Sequence, residues 1–388
     1  MTVKGGGCGL PGLEGQSFDD IWRSLESWED SIKDPRNYQA KVLNSLVDGY
    51  AKTEYGERVG AAEVESIEDY RKSFPRVSYV DIKPYVNEVR GGNYRAFLYE
   101  EPLSWVLTRG STGDSKVFPV TRSHLHEIFD CGSRAVMNYA LKRGGPDMVG
   151  GRVLNLNFPS NIETLDVAGR RVVYGYSSGT YAKLNPVLRG LALIPRQEEI
   201  DDLETGLSRR DWERRFELIY QKSRDERVVF IIGVAPVQTA FGRYVKRKHG
   251  IYPKHLWGLD AIFTTSVAKI QTRYAPVLKS LYGEVPVVEM YTATEGAFAQ
   301  QRDSLPYVVP NYDTYLFEVE KGGRVKMLHE LERGESGRLI VSTSMLPRYS
   351  IGDMIEGMGK NYFRVFGRAN RRTIVEHAIY RALFRWFI

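Results

Sequence analysis

Apolar residues in the first third of the chain recur at helical spacing. Phe18, Ile21, Trp22, Leu25 and Trp28 fall at i, i+3, i+4, i+7 and i+10, which predicts one amphipathic helix. Val42, Leu43, Leu46 and Val47 repeat the pattern in a second helix that stops before the Tyr55-Gly56 turn. A short third helix over Ile67–Phe74 is ended by Pro75. Further along, the period changes. Short β-rich runs at Val153–Phe158, Val172–Tyr176, Val228–Val234, Ala261–Thr265, Val287–Tyr291 and Leu339–Ser342 read as buried strands. Between them lie helical patterns over Ser123–Arg143, Arg210–Lys222, Val237–His249 and Val267–Tyr282. This alternation predicts an α/β fold, mainly parallel sheets flanked by helices, with ligands bound beyond the carboxyl ends of strands. After Gly322-Gly323 the runs shorten and become strand-rich, predicting a small β subdomain over about 322–364.

Composition narrows the class. Hydrophobic residues make up 42% and charged residues 26% of 388 positions, as in a globular protein with a sizeable core. No apolar run approaches the roughly 20 residues that span a bilayer, so no membrane partner is expected. The start, MTVKGGGCGLPGLEG, lacks an apolar secretory core and predicts a flexible segment over 1–15. Two cysteines, Cys8 and Cys131, are too few for a disulfide framework or zinc site and point to a reduced, cytoplasmic protein. The net charge of +6 is local. Lys360, Arg364, Arg368, Arg371, Arg372, Arg381 and Arg385 face one acid, Glu376, so the last stretch carries +6 and the remainder is neutral. That distribution argues against a nucleic-acid binder and for a local contact made by the tail.

Three stretches carry candidate chemistry, each after a predicted strand. Thr108-Arg-Gly-Ser-Thr-Gly-Asp-Ser-Lys116 follows Leu103–Leu107. Its glycines allow close approach to an anion, its hydroxyls and amides donate to phosphate oxygens, and its lysine adds charge. Tyr291-Thr-Ala-Thr-Glu295 follows Val285–Met290, offering a flat face for adenine and a carboxylate for a hard cation. Pro347-Arg-Tyr-Ser-Ile-Gly-Asp353 places an aspartate on a glycine turn, suited to ribose hydroxyls. Singly, each also reads as plain structure: a polar glycine turn, a buried tyrosine before a helix cap, and a Gly-Asp turn.

Taken together, in this order and separation, the three resemble the signatures of the adenylate-forming superfamily, which includes acyl-CoA ligases and acyl acid amido synthetases. Thr108–Lys116 is similar to S-S-G-T-[ST]-G-x-x-K, Tyr291–Glu295 to Y-x-[ST]-[ST]-E, and Arg348–Asp353 to R-Y-R-x-G-D. Thr53–Gly56, Phe74–Tyr85, Phe118–Thr121, Gly296–Phe298 and Pro310–Glu318 resemble one branch. That branch is the prokaryotic relatives of the plant auxin- and jasmonate-conjugating acyl acid amido synthetases, the Gretchen Hagen family. Departures are Arg109 and Ser115 in the loop, and Ser350 and Ile351 in the late motif.

The resemblance implies ATP and Mg²⁺ as cofactors, a carboxylic acid substrate, and an amine or thiol acceptor. Thr108, Gly110, Ser111, Thr112, Gly113 and Lys116 would contact phosphates. Thr265, Ser266, Tyr291, Thr292, Thr294, Asp353 and Arg368 would bind adenine and ribose. Glu295 would hold the metal and, with Lys116, serve catalysis. The implied reaction is acyl-adenylate formation followed by amide formation. The alternatives are an acyl-CoA ligase of the phenylacetate–CoA ligase type and a nucleotide-binding partial subunit. The implied organisation is a large ATP- and acyl-binding lobe over 16–365, then a hinge and remnant of the C-terminal lobe over 366–388.

The final helix, read as His377–Ile388, with Val375 just ahead of it, sets Val375, Ala378, Ile379, Ala382, Leu383 and Trp386 on one apolar face. It is expected either to fold back on the body or to pair with a second copy as a homodimer. His124 and His126 are expected on the solvated surface, since i and i+2 do not share a helix face, and His249 and His255 flank a surface turn. Ser177-Ser-Gly-Thr180 resembles a second phosphate loop and is a candidate substrate-lining segment.

Overall fold

The computed structural model describes residues 18–108, 116–143, 151–185, 188, 193–265 and 267–384. The first predicted helix is α1 (Phe18–Lys33), which packs Leu25, Trp28 and Ile32 against Val309. α2 (Pro35–Tyr50) starts with Asp34 accepting from the Asn37 amide and proline in its first turn. α3 (Glu54–Val59) is capped by Thr53, and α4 (Ile67–Ser73) by Ser66. α5 (Tyr79–Arg90) contains Pro84, which hides it from a sequence reading. It forms because the Asp81 carboxylate accepts from the Ser78 amide (2.8 Å) and hydroxyl (2.7 Å) at its start.

Three sheets follow. β1 (Ser104–Leu107), β2 (Val117–Val120), β4 (Glu163–Val167) and β5 (Arg170–Tyr176) form a four-stranded sheet in the order β2-β1-β5-β4. The central sheet takes β3 (Arg152–Asn155), β6 (Leu193–Ile194), β7 (Val228–Val234), β8 (Ala261–Thr265), β9 (Val287–Ala293), β10 (Gly296–Gln300) and β11 (Val309–Pro310). Its order is β11-β10-β9-β8-β7-β3-β6, with the five strands from β6 to β9 parallel and β10 and β11 antiparallel at the edge. The third sheet is wholly antiparallel: β12 (Leu316–Lys321), β13 (Arg324–Met327), β14 (Ser336–Ser342), β15 (Tyr349–Gly359) and β16 (Tyr362–Arg368), ordered β13-β12-β14-β15-β16.

The predicted parallel core is present, with its strands buried on both faces as such sheets require. α6 (Arg122–Arg143) lies on one face, where Ala135 packs among Val153, Phe230, Phe263 and Met290. α7 (Ser177–Leu184) and α8 (Gln197–Asp201) follow β5 and β6. α9 (Arg209–Ser223) and α10 (Ala235–His249) belong to the other core, which includes Ile231, Ile262 and Val287. Those strand residues alternate with the first set, as the two faces of a strand must.

The differences have local causes. The run Val267–Tyr282 is not one helix. Lys269 sits at φ 63°, a π-helical turn covers Ile270–Tyr274, and α11 (Ala275–Tyr282) begins afresh with Pro276 in its first turn. The strand-rich region starts at Leu316, ahead of Gly322-Gly323, because those glycines are the hairpin turn between β12 and β13. β16 continues to Arg368, so the sheet extends past the expected limit near residue 364.

The tail helix, α12 (Arg371–Phe384), starts before His377 and folds back on the third sheet. The His377 ring stacks on Phe366 at 3.9 Å, and its Nε2 lies 3.2 Å from Glu356 Oε2. Arg371 and Arg372 are exposed, and Arg372 Nε donates to Glu376 Oε1 (2.7 Å). Of the expected apolar stripe only Val375 has a described side chain, and it is half exposed; Trp386 lies outside the described residues. No helix among the described residues is long and apolar enough to cross a membrane.

Candidate active site

A cavity of about 1810 Å³ opens at the carboxyl ends of β7, β8 and β9 and reaches the other two sheets. Thr108 and Lys116 stand at the two feet of the glycine-rich loop. The Thr108 amide donates to the Lys116 carbonyl (2.8 Å), and the Lys116 amide donates to Thr108 Oγ1 (3.1 Å). Gly110, Ser111, Thr112 and Gly113, with Arg109 and Ser115, lie outside the described residues, as does Ser266.

Tyr291, Asp353 and Arg368 come together although they are far apart in sequence. The Tyr291 hydroxyl donates to Asp353 Oδ2 (2.7 Å), and Arg368 Nη1 donates to Asp353 Oδ1 (2.9 Å). β15 and β16 set this up by pairing Asp353 with Arg368. Gly352, within β15, holds φ 87°, a conformation that favours glycine, and a Cβ there would crowd the tip of the Arg368 guanidinium at 3.0 Å. Burial and the Asp353 carboxylate push the Tyr291 phenol well above its ordinary range. At the neighbouring strand ends Thr265 and Thr292 share a 2.7 Å hydroxyl bond.

Thr294 and Glu295 form the turn between β9 and β10. A strand follows Glu295, not the helix that a simple capping role would need. Glu295 is buried, and desolvation pushes its carboxyl above the usual range while the Lys116 charge and the Tyr349 hydroxyl pull it down. Lys116 Nζ donates to the Tyr349 hydroxyl (3.1 Å) and lies over the Tyr79 and Tyr349 rings at 5.4 and 5.7 Å. Burial pushes the ammonium below its usual range, against the pull of Glu295. Among the described residues no three His, Cys, Asp or Glu side chains converge as a metal cage. Glu295 is one buried carboxylate near Asp353, which raises its carboxyl further, and a single carboxylate of this kind suits a cation that takes its other ligands from phosphates and water.

His124 overturns its surface expectation. Its ring is fully buried, with Nε2 3.1 Å from the Thr294 carbonyl and from the Tyr181 hydroxyl. Tyr181 also donates to the Thr294 carbonyl (2.9 Å), and Ser177 Oγ lies 2.9 Å from Thr294 Oγ1. The helix-face argument holds for the pair, since His126 is exposed, but it could not tell which histidine faces inward. The Ser177–Thr180 segment is the first turn of α7 and lines the cavity through Ser177 and Ser178. His249, expected at the surface, is largely covered: it stacks on Tyr220 at 3.7 Å and bonds Glu217.

Glu289, two residues before Tyr291, was not singled out in the sequence. It lines the cavity, and burial pushes its carboxyl from the usual 4.5 up to about 7. Between those values the folded chain binds more protons than the unfolded one, so stability falls as pH rises through that window. Glu289→Gln removes this cost. The variant is expected to be more stable than the parent by about 1–3 kcal/mol at pH 8 and nearly equal at pH 4.5. Denaturant titrations at the two pH values check this; an equal difference at both would show that the carboxyl is not desolvated.

Residues 24–204 match the GH3 family N-terminal domain. Indole-3-acetic acid-amido synthetase GH3.2 of Arabidopsis thaliana is 27% identical over 105 residues, 26% of this chain and 19% of its own length. Indole-3-acetic acid-amido synthetase GH3.4 of the same plant is 22% identical over 412 residues, 87% of this chain and 67% of its own. Matches to the first three relatives thus span 17–19% of their length. Among solved structures, the AtGH3.15 acyl acid amido synthetase in complex with 2,4-DB superposes with a TM-score of 0.72 at 16% identity, covering 92% of this chain and 72% of its own. A 2-hydroxyisobutyryl-CoA ligase in complex with 2-HIB-AMP and CoA gives 0.56 at 14% identity, covering 93% and 71%. At these identities the structural likeness is one of fold.

Proposed function

We propose that the chain, whose residues 24–204 match the GH3 family N-terminal domain and whose fold is that of the adenylate-forming ligases, activates a carboxylic acid with ATP and passes the acyl group to an amine. A carboxylate oxygen attacks the α-phosphorus, and pyrophosphate leaves with the electron pair of the broken P–O bond. The amine nitrogen then attacks the acyl carbon, AMP departs, and the nitrogen loses its proton to give an amide. The observation that carries this reading is the meeting of Lys116, Glu295, Tyr291 and Asp353, drawn from all three sheets, around one cavity.

In this reading Thr108, Lys116 and the loop between them, with Gly110, Ser111, Thr112 and Gly113, bind phosphates. Tyr291, Thr292 and Thr294 line the adenine side with Thr265 and Ser266, while Asp353, oriented by Tyr291 and Arg368, accepts from ribose hydroxyls. Glu295 would hold Mg²⁺, which when bound neutralises phosphate charge. The protein's part is to position two anions for in-line attack in a site that excludes water; no protein nucleophile is required. The acyl- and ATP-binding lobe would cover 16–365 and the hinge begin at Phe366. A homodimer through the tail would form on Ile374 and Val375, which α12 leaves half exposed. We place the protein in the cytoplasm from its two-cysteine sequence.

The likeness to a CoA ligase favours a second reading, with CoA as acceptor. Mass spectrometry of the products separates the two, amide against thioester, with AMP common to both. Asp353→Ala is expected to weaken ATP binding by about 1–3 kcal/mol, one to two decades. Unchanged ATP affinity by calorimetry would sink the nucleotide assignment.

A further inference from the structure

The cavity exceeds what a nucleotide and a small acid need. Its volume of about 1810 Å³ compares with about 300–1,000 Å³ for most ligand sites. The surplus has a direction. Ile128, Phe129, Gly132, Val136, Met137 and Ala140 of α6 line the cavity, with Ser133 and Leu141 on the same stripe. These positions recur in pairs every four residues, so one helix face is presented continuously from Ile128 to Leu141, roughly 20 Å at about 1.5 Å per residue. Facing it are Leu193 of β6 and Phe230 and Ile232 of β7.

None of these residues is charged, and Ser133 carries their one hydroxyl. The cavity's charged side chains sit on other elements: Lys83 and Arg90 on α5, Lys269 and Arg273 ahead of α11, Glu289 on β9, Glu376 on α12, and Lys116, Glu295, Asp353 and Arg368 at the nucleotide end. The orientation of the slot follows from His124, in the first turn of α6, which touches the Thr294 carbonyl. The amino end of the helix therefore lies beside Glu295, and the apolar stripe runs away from it towards Leu141, which is 45% exposed.

We propose that the acid activated here is an elongated, uncharged-tail one, a straight-chain fatty acid of about 12–16 carbons, a length set by a C–C bond of about 1.5 Å projected along a zig-zag over the slot. Its carboxylate lies at the Lys116–Glu295 end and its tail between α6 and the strands. The position of the carboxylate rests on the acyl-activation reading above; the slot itself does not. Gly132 supplies the means to test it. A Cβ at this position meets nothing within 4 Å, so a larger side chain enters open cavity space and not a packed wall.

The experiment uses the full chain, the Gly132→Phe variant and the Ala140→Trp variant at the far end of the stripe. Pyrophosphate release is measured with straight-chain acids from butanoate to hexadecanoate, and binding of dodecanoate alone by calorimetry. A buried methylene is worth about fourfold in affinity, so the parent's kcat/KM is expected to rise at least 100-fold from butanoate to dodecanoate. Gly132→Phe should lower the dodecanoate-to-butanoate ratio at least 30-fold, and Ala140→Trp should lower only the longest acids, each at an unchanged melting temperature. A parent that prefers butanoate, or variants whose ratio does not change, would overturn the proposal. If no acid releases pyrophosphate yet dodecanoate binds the parent and binds Gly132→Phe at least tenfold more weakly, the slot stands and acyl activation falls. No dodecanoate binding at all overturns the slot.

Discussion

Glu295→Gln is expected to lower acid-dependent pyrophosphate release at least 100-fold while changing ATP affinity by less than about tenfold, because charge stabilisation acts mainly in the transition state. The side chain is buried at the β9–β10 turn, and its surroundings act on it in opposite directions. Desolvation raises the cost of the carboxylate, and the Lys116 ammonium and Tyr349 hydroxyl lower it. Glutamine keeps the volume and an oxygen for the Tyr349 hydroxyl, so the turn should remain folded. It removes only the negative charge that a phosphate-bound cation requires. Pyrophosphate release measured alongside calorimetric ATP binding separates this from general damage. Equal release by variant and parent would refute the role, and a parallel loss of ATP binding would make Glu295 a ground-state contact instead.

Legibility in the sequence tracked how local each determinant is. β7 and β8 have the boundaries their apolar runs predict, because a strand buried on both faces writes its burial directly into composition. The site residues were legible as types placed after strands, but not as neighbours. Tyr291 meets Asp353 across 62 positions and Lys116 meets Tyr349 across 233, which only the docking of the third sheet onto the other two decides. His124 was misjudged because spacing gives the angle between two side chains on a helix but not which one faces the body. Glu289 was missed because a glutamate in a β-rich run reads as an exposed edge, and its burial comes from packing around the cavity.

Arg348→Met should be strongly damaging although the residue lies outside the cavity. Arg348 opens the late motif, but its guanidinium lies in the junction of the N-terminal helices and the third sheet. Nε donates to Glu318 Oε2 (2.9 Å), Nη2 to Glu318 Oε1 (3.2 Å), and Nη1 to the Phe74 and Arg71 carbonyls (2.7 and 3.1 Å). These bonds hold the residue at φ 42°, a conformation that persists only when its surroundings over-determine it. Glu318 is buried on β12 and also takes a bond from Arg71 Nε (2.8 Å). Methionine fills part of the volume but leaves the carboxylate with one partner, itself a quarter exposed. Removing one member of a buried ion pair costs about 3–5 kcal/mol, so the apparent melting temperature should fall by about 5–15 °C. The damage should reach the site as well. Tyr349 is the next residue, and the Arg348 carbonyl accepts from the Val77 amide (3.1 Å), so a displaced backbone moves the hydroxyl that holds Lys116. Arg71→Met provides the contrast: it leaves both Arg348 bonds on Glu318 and should cost no more than about 1 kcal/mol, as partly exposed pairs do. Equal losses in the two variants, or a loss below about 1 kcal/mol for Arg348→Met, would mean that apolar packing and not the Glu318 pair braces the third sheet against the helices.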